Sequence, residues 1–213
     1  MKIELLRVSG NELDIINAAR VSHLSESESF EERDKKLLNY LFSHEHHTPF
    51  EHTLLSFRCH VPIFVARQWM RHRMGSFNEL SGRYKVMPDE FYIPDEFFEQ
   101  STDNKQGSSD IQLYNTEYFT ERFEQVLNFT SEVYSEFLAL GMAKEQARMI
   151  LPLCVYTEFI WTVNLRSLLN FLKLRLDEHA QAEIRECAYT VLSLAKPHFP
   201  NILSLAFPNI DYV

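Results

Sequence analysis

Residues 54–61, LLSFRCHV, and 155–163, VYTEFIWTV, constrain the fold more than any other part of the chain. Both alternate with a period of two, the signature of a strand with one buried face. Leu55, Phe57, Cys59 and Val61 fall on one side of the first, with Ser56, Arg58 and His60 on the other. Val155, Thr157, Phe159, Trp161 and Val163 share a face of the second. Most of the remaining chain has helical spacing. SFEERDKKLLNYLFSH opens with Ser29 and has Glu32 three residues later, a capping-box pattern that predicts a helix over about residues 30–44. Pro62 suits the first turn of a helix through PIFVARQWMR, with Arg67 and Arg71 four apart on one side. The run DIQLYNTEYFTERFEQVLNFTSEVYSEFLALG predicts a long helix stopped by Gly141, and KEQARMIL a short one ended by Pro152. Two more helices are expected over 165–175 and about 179–195. The fold class expected is α+β: a single mostly helical domain around a small sheet, over 1–213. The polar stretch 99–110, EQSTDNKQGSSD, reads as a surface loop. It does not read as a domain boundary, because basic clusters on its two sides have to cooperate.

Charge narrows the function. The formal net charge is -9, yet residues 58–85 hold Arg58, Arg67, Arg71, Arg73, Arg83 and Lys85 against Glu79 alone. Residues 148–175 hold Arg148, Arg166, Lys173 and Arg175 against Glu158. An acidic body disfavours general nucleic-acid binding, which depends on neutralising phosphates. Local cationic segments on such a body point instead to a focused anion site. No apolar run is long enough for a membrane span, and MKIELLRV carries Glu4 without a long apolar core, so neither a span nor a secretory signal is expected. Three widely spaced cysteines, Cys59, Cys154 and Cys187, fit neither a disulfide framework nor a cysteine metal site, which suggests a reduced, cytoplasmic setting.

The densest cationic stretch is RHRMGSFNELSGRY, residues 71–84. Arg71 and Arg73 point the same way if the loop is extended, with His72 turned aside. Gly75 and Gly82 bracket the irregular part. Ser76, Asn78 and Ser81 add neutral donors, and the backbone at Gly82 can approach an anion closely. Guanidinium forks match phosphate geometry. Glu79, a lone carboxylate among cations, either pairs with one of them or accepts from a sugar hydroxyl or a base. The five glycines form neither G-x-G-x-x-G nor a phosphate loop. HEHHTPFEH supplies His44, His46, His47 and His52, but it is not a zinc-binding H-E-x-x-H, and no metal is expected. Cys154 reads as a core thiol rather than a nucleophile. Trp69, Phe77, Tyr84 and Tyr92 either stack on a bound ring or pack in the core. On residue chemistry alone, a histidine-metal hydrolase and a non-catalytic nucleotide- or RNA-binding regulator remain open beside a nucleotide-using enzyme.

Arg-His-Arg, seven residues, then Ser81 resembles the signature of the flavin-dependent thymidylate synthases. HEHHTPFEH, PIFVARQWMRHR, ARMILPL, WTVNLRSLLNFLKLR and EHAQAEI are similar to that family's other blocks, in the same order, as is AARVS near the N-terminus. The resemblance implies a homotetramer with sites between subunits and bound FAD. It also implies deoxyuridine monophosphate (dUMP), methylenetetrahydrofolate and NADPH as substrates, giving thymidine monophosphate (dTMP) and tetrahydrofolate. It assigns cofactor contacts to Thr48, Arg71, His72, Arg73, Glu79, Asn164, Arg166 and Asn170. It assigns substrate contacts to Gln68, Trp69, Met70, Arg71, Glu79, Leu80, Ser81, Gly82, Arg83, Arg148, Arg175 and His46. Within this reading Arg175 is the catalytic choice. A fixed guanidinium stabilises charge developing at uracil N3 and its flanking oxygens, which raises electron density at C5; one such donor is worth ~3–4 kcal/mol. Ser81 then holds phosphate rather than acting as a nucleophile, since no base partner is evident. By helical rotation, Arg166 and Asn170 share a face, and Arg175 projects roughly 140° from Asn170.

Overall fold

The computed structural model describes residues 1–208 and 210. In chain order the elements are β1 (Lys2–Ser9), α1 (Glu12–Arg20), α2 (Glu32–Ser43), β2 (Leu54–Pro62), α3 (Ile63–Trp69), β3 (Ser76–Glu79), β4 (Phe98–Gln100), β5 (Ser108–Gln112), α4 (Thr116–Ala139), α5 (Lys144–Ala147), β6 (Tyr156–Asn164), α6 (Leu165–Arg175), α7 (Ala182–Ala195) and α8 (Pro200–Ala206). This is the α+β arrangement expected. Among the described residues, no helix is long and apolar enough to cross a membrane.

The two alternating segments become β2 and β6, the central strands of an antiparallel sheet ordered β1-β2-β6-β3. Their register sets Leu55 opposite Val163, Phe57 opposite Trp161 and Cys59 opposite Phe159. All six side chains are buried, because one face of the sheet carries the core. Helices α6 and α7 cover that face, with Leu168, Phe171, Leu172, Ala188, Val191 and Leu192 fully buried. The ring of Trp69 stacks on Phe171 at 4.8 Å and meets Trp161 edge-on at 5.3 Å. Burying 150–250 Å² of such a ring is worth about 4–6 kcal/mol. Trp69 therefore anchors the end of α3 and fixes where the Arg-His-Arg segment emerges.

Several elements depart from expectation. The α2 cap is Glu31 with Asp34, not Ser29 with Glu32. Fully buried Asp34 accepts the Glu31 N–H at 2.9 Å and pairs with Arg20 at 2.5 Å, so helix entry is dictated by a long-range ion pair. Pro62 is the last residue of β2 and the N-cap of α3 rather than an interior first-turn residue. Helix α3 ends at Trp69, so Arg71 lies beyond it and does not share a helical side with Arg67. The segment between Gly75 and Gly82 is not wholly irregular: residues 76–79 pair with β6 as the edge strand β3. A Cβ at Gly75 would lie 2.8 Å from Trp161 Nε1, which explains the glycine. The expected loop at 99–110 is largely the hairpin β4–β5, and the long helix starts only at Thr116. Gly141 ends that region with φ +87°, a left-handed stop that favours glycine. Cys154 is half-buried rather than fully buried, while Cys59 and Cys187 are buried; all three are free thiols.

Candidate active site

The turn after Trp69 is short and strictly held. His72 N–H donates to the Trp69 carbonyl at 3.0 Å, and Met70 N–H to Ala66 at 2.9 Å. Arg71, His72 and Arg73 thereby line one wall of a groove of about 1620 Å³. Across it stand Asn164, which caps α6 by accepting the Ser167 N–H at 2.9 Å, and then Arg166, Asn170, Lys173 and Arg175. Glu45, His47 and Glu51, from the turn after α2, close one side, with Ala206 and Phe207 at the C-terminal end. The lining carries more cations than carboxylates. Glu51 is already paired with Arg166. The volume exceeds that of ordinary small-ligand pockets and suits an extended anionic ligand.

His72 is not turned aside. Its Nε2 accepts from Arg175 Nε at 2.9 Å, and Arg175 Nη2 donates to the Gln68 carbonyl at 3.2 Å. Burial, helped by the Arg175 charge, pushes the His72 pKa down to about 4, so the imidazole is neutral near pH 7. Burial and the nearby Arg71 charge also lower the Arg175 pKa. Nor does helical rotation separate Arg175 from Asn170: the Arg175 side chain reaches back from the last turn of α6 into the same groove.

A second, smaller cavity of about 260 Å³ lies elsewhere on the sheet. Arg67, Met70, Glu79, Leu80, Gly82, Arg148 and Thr157 line it. Glu79 accepts the Thr157 hydroxyl at 2.8 Å, from a side chain that is 1% exposed, which fixes the carboxylate at the cavity. Gly82 is packed so closely that an added Cβ would lie 2.9 Å from both Arg148 Cδ and Met87 Sδ. The Ser81 carbonyl accepts the N–H groups of Tyr84 and Lys85, making a tight turn. Its Oγ accepts from Arg83 N–H at 3.3 Å, and among the described residues no base is hydrogen-bonded to it. Arg83 itself pairs with Glu145 at 3.1 Å at the surface.

The residues singled out in the sequence thus fall into two groups. Arg71, His72, Arg73, Asn164, Arg166, Asn170 and Arg175 meet in the large groove. Met70, Glu79, Leu80, Gly82 and Arg148 meet in the small cavity, with Ser81 and Arg83 on the adjoining turn. The two are separate cavities on one chain, and the consecutive residues Met70 and Arg71 line one each. Trp69 is fully buried and presents its ring to the core, not to either cavity. Gln68 is half-buried and bonds Gln181 through its side chain. Thr48 and His46 sit on the turn that supplies Glu45 and His47, and His46 meets Tyr40 edge-on at 5.7 Å. His44 stacks on Tyr40 at 4.1 Å, and its Nδ1 lies 2.9 Å from the Tyr40 carbonyl, a helix-end role. Among the described residues, no three His, Cys, Asp or Glu side chains converge to hold a metal.

Sequence reasoning missed Glu45 and Glu51 in the groove; it named Lys173 and Arg67 in the cationic clusters and His47 in the histidine block but gave none of the three a contact. Glu45 left a trace. It occupies the left-handed position after α2, φ +57°, where His46 N–H bonds Leu41 at 2.8 Å and Glu45 N–H bonds Phe42 at 3.2 Å. Glycine usually fills that position, and a side chain there costs about 1 kcal/mol.

Residues 4–201 match the family model described as thymidylate synthase complementing protein. Curated relatives named flavin-dependent thymidylate synthase include those of Thermosipho africanus and Kosmotoga olearia. The first is 44% identical, over 93% of this chain and 87% of its own. The second is 42% identical, over 99% and 91%. Among solved structures, a UMP/dUMP methylase, PolB from Streptomyces cacaoi, bound with 5-Br dUMP, superposes with a TM-score of 0.89. It is 30% identical and covers 100% of this chain and 96% of its own.

Proposed function

This chain belongs to the thymidylate synthase complementing protein family, and from that membership we propose that it is a flavin-dependent thymidylate synthase converting dUMP to dTMP. The one-carbon unit comes from methylenetetrahydrofolate, and the electrons enter from NADPH. When bound, the flavin, as FAD, supplies the hydride that completes the methyl group, so the folate leaves as tetrahydrofolate. The observation that carries this reading is the pairing of a long cationic groove with a separate small cavity that combines a carboxylate with a guanidinium.

The residues fit such a cofactor. Arg71, Arg73 and Arg166 offer guanidinium groups to a pyrophosphate, and Asn164 and Asn170 offer amides to ribityl or ring edges. Arg148 and the Ser81–Arg83 turn hold the dUMP phosphate, with the unsubstituted Gly82 letting the Arg148 stem pack against that turn. Glu79, oriented by Thr157, accepts a deoxyribose hydroxyl. Arg175 places its charge against the uracil edge and stabilises the anion that builds there. Arg175 and Arg148 open onto different cavities of one chain. A homotetramer in which the groove of one subunit meets the cavity of another brings the two to one nucleotide.

The test is direct. Purified protein should be yellow and bleach with NADPH, faster once dUMP is added, and released flavin should chromatograph as FAD. Turnover with labelled methylenetetrahydrofolate should yield dTMP and tetrahydrofolate in equal amounts. Dihydrofolate as the folate product, or a colourless protein without turnover in added FAD, would refute the reading.

A further inference from the structure

We infer that His72 is a positioning residue for Arg175: it holds the guanidinium by a neutral acceptor, fixing its direction while leaving its charge undiminished for the substrate. The inference rests on the reading that Arg175 faces the uracil. Arg175 Nε donates to His72 Nε2 at 2.9 Å, and Nη2 donates to the Gln68 carbonyl at 3.2 Å. Two contacts on one edge of a planar fork set its plane. Among the described residues Nη1 has no protein partner, so the opposite edge is presented to the groove. His72 is itself held. Its ring meets Phe171 edge-on at 5.0 Å, and its N–H is bonded to Trp69, whose ring stacks on that same phenylalanine. The anchor of the turn and the anchor of the arginine are therefore one aromatic cluster.

The chemistry explains why an imidazole suits this position. A carboxylate would hold Arg175 more tightly but would cancel the charge that has to stabilise an anion in the groove. Asp177, two residues away, is the nearest acid in sequence, and its Oδ1 accepts the His179 N–H at 2.9 Å instead. Because Nε2 accepts, the His72 proton resides on Nδ1. Protonation of Nε2 would remove the acceptor, and burial beside Arg175 holds the ring neutral.

Three substitutions separate the possibilities, each assayed with added FAD and with bound flavin measured by absorbance. His72→Ala removes the acceptor, and kcat for dTMP should fall about 10–100-fold with the dUMP KM changed less than about threefold, as expected of lost alignment. His72→Gln carries an amide oxygen close to where Nε2 lies, and should recover kcat to within about fivefold of wild type. His72→Glu keeps the contact but neutralises it, and should be as slow as the alanine variant. In an Arg175→Ala background, His72→Ala should change kcat less than about twofold, because the two side chains act as a unit. Glutamine no better than alanine, glutamate as good as glutamine, or additive losses in the double variant would overturn the inference. Absent turnover in the wild-type holoprotein would instead fail the functional reading.

Discussion

Glu12 offers the clearest energetic test of how the groove is held. It is 6% exposed and reaches the start of α8, where its two oxygens accept from Asn201 N at 2.7 Å, Asn201 Nδ2 at 2.6 Å and Ile202 N at 2.8 Å. One carboxylate thus satisfies two backbone donors of a helix N-terminus, with favourable charge, across nearly the whole chain length. In Glu12→Ala the Ile202 N–H is left beside a side chain that is 0% exposed, where water does not replace the lost partner. A buried unsatisfied N–H costs about 1–3 kcal/mol, and the partly exposed Asn201 groups add about 1 kcal/mol, so the total loss is about 3 kcal/mol. Glu12→Gln keeps an oxygen able to accept both backbone donors. It forfeits only the charge and a side-chain bond, for about 1 kcal/mol. The assay is urea denaturation at one fixed protein concentration, with flavin retention followed in parallel. Ala206 and Phe207 line the groove just beyond this cap, so flavin should be lost before global unfolding in Glu12→Ala. A loss below about 0.5 kcal/mol, or equal losses for Ala and Gln, would refute the capping account.

Arg175→Ala should retain flavin yet lose about 100–1000-fold in dTMP formation, from removal of one donor aimed at developing charge; turnover within about threefold of wild type would remove Arg175 from the chemistry. His72 has a folded-state pKa near 4 against 6.5 when unfolded, so its contribution to stability is complete above pH 6.5 and is lost as pH falls toward 4. Urea denaturation should show wild type losing about 1–2 kcal/mol more than His72→Gln between pH 7 and pH 5, allowing for solvent screening at the groove mouth; parallel curves would contradict the buried neutral imidazole. Glu45→Gly relieves the left-handed strain and should raise stability, by about 1 kcal/mol at most, in urea denaturation; a drop in stability would show that the side chain is structural.

What was readable from sequence follows from which residues carry periodic burial. β2 and β6 announce themselves because every second side chain enters the core. β1 does not: its register shifts between Leu5 and Arg7, so a bulge breaks the alternation. β4 and β5 expose most of both faces and carry turn-like polar residues, so they read as loop. α8 is too short for a periodic signal, and its N-terminal partner is Glu12, far away in sequence. At the site, the arginine-rich composition pointed to anions, although Arg58, Arg83 and Arg166 are each paired with an acid from elsewhere in the chain. The division into two cavities was hidden because it depends on α3 ending at Trp69, which the helical pattern runs straight past. The His72–Arg175 bond was equally hidden, since rotation about an ideal helix sends Arg175 elsewhere and ignores the reach of a long side chain at a helix end.

The claim that two cavities on different chains complete one site can be measured by co-expressing Arg148→Ala and Arg175→Ala subunits under distinct tags and isolating mixed oligomers. Each parent should be nearly inactive, and the mixed oligomers should regain activity at about a quarter of their sites, as random assortment of symmetric subunits requires. Mixed oligomers as inactive as their parents would place both arginines in a site built from a single chain, and the account would be wrong.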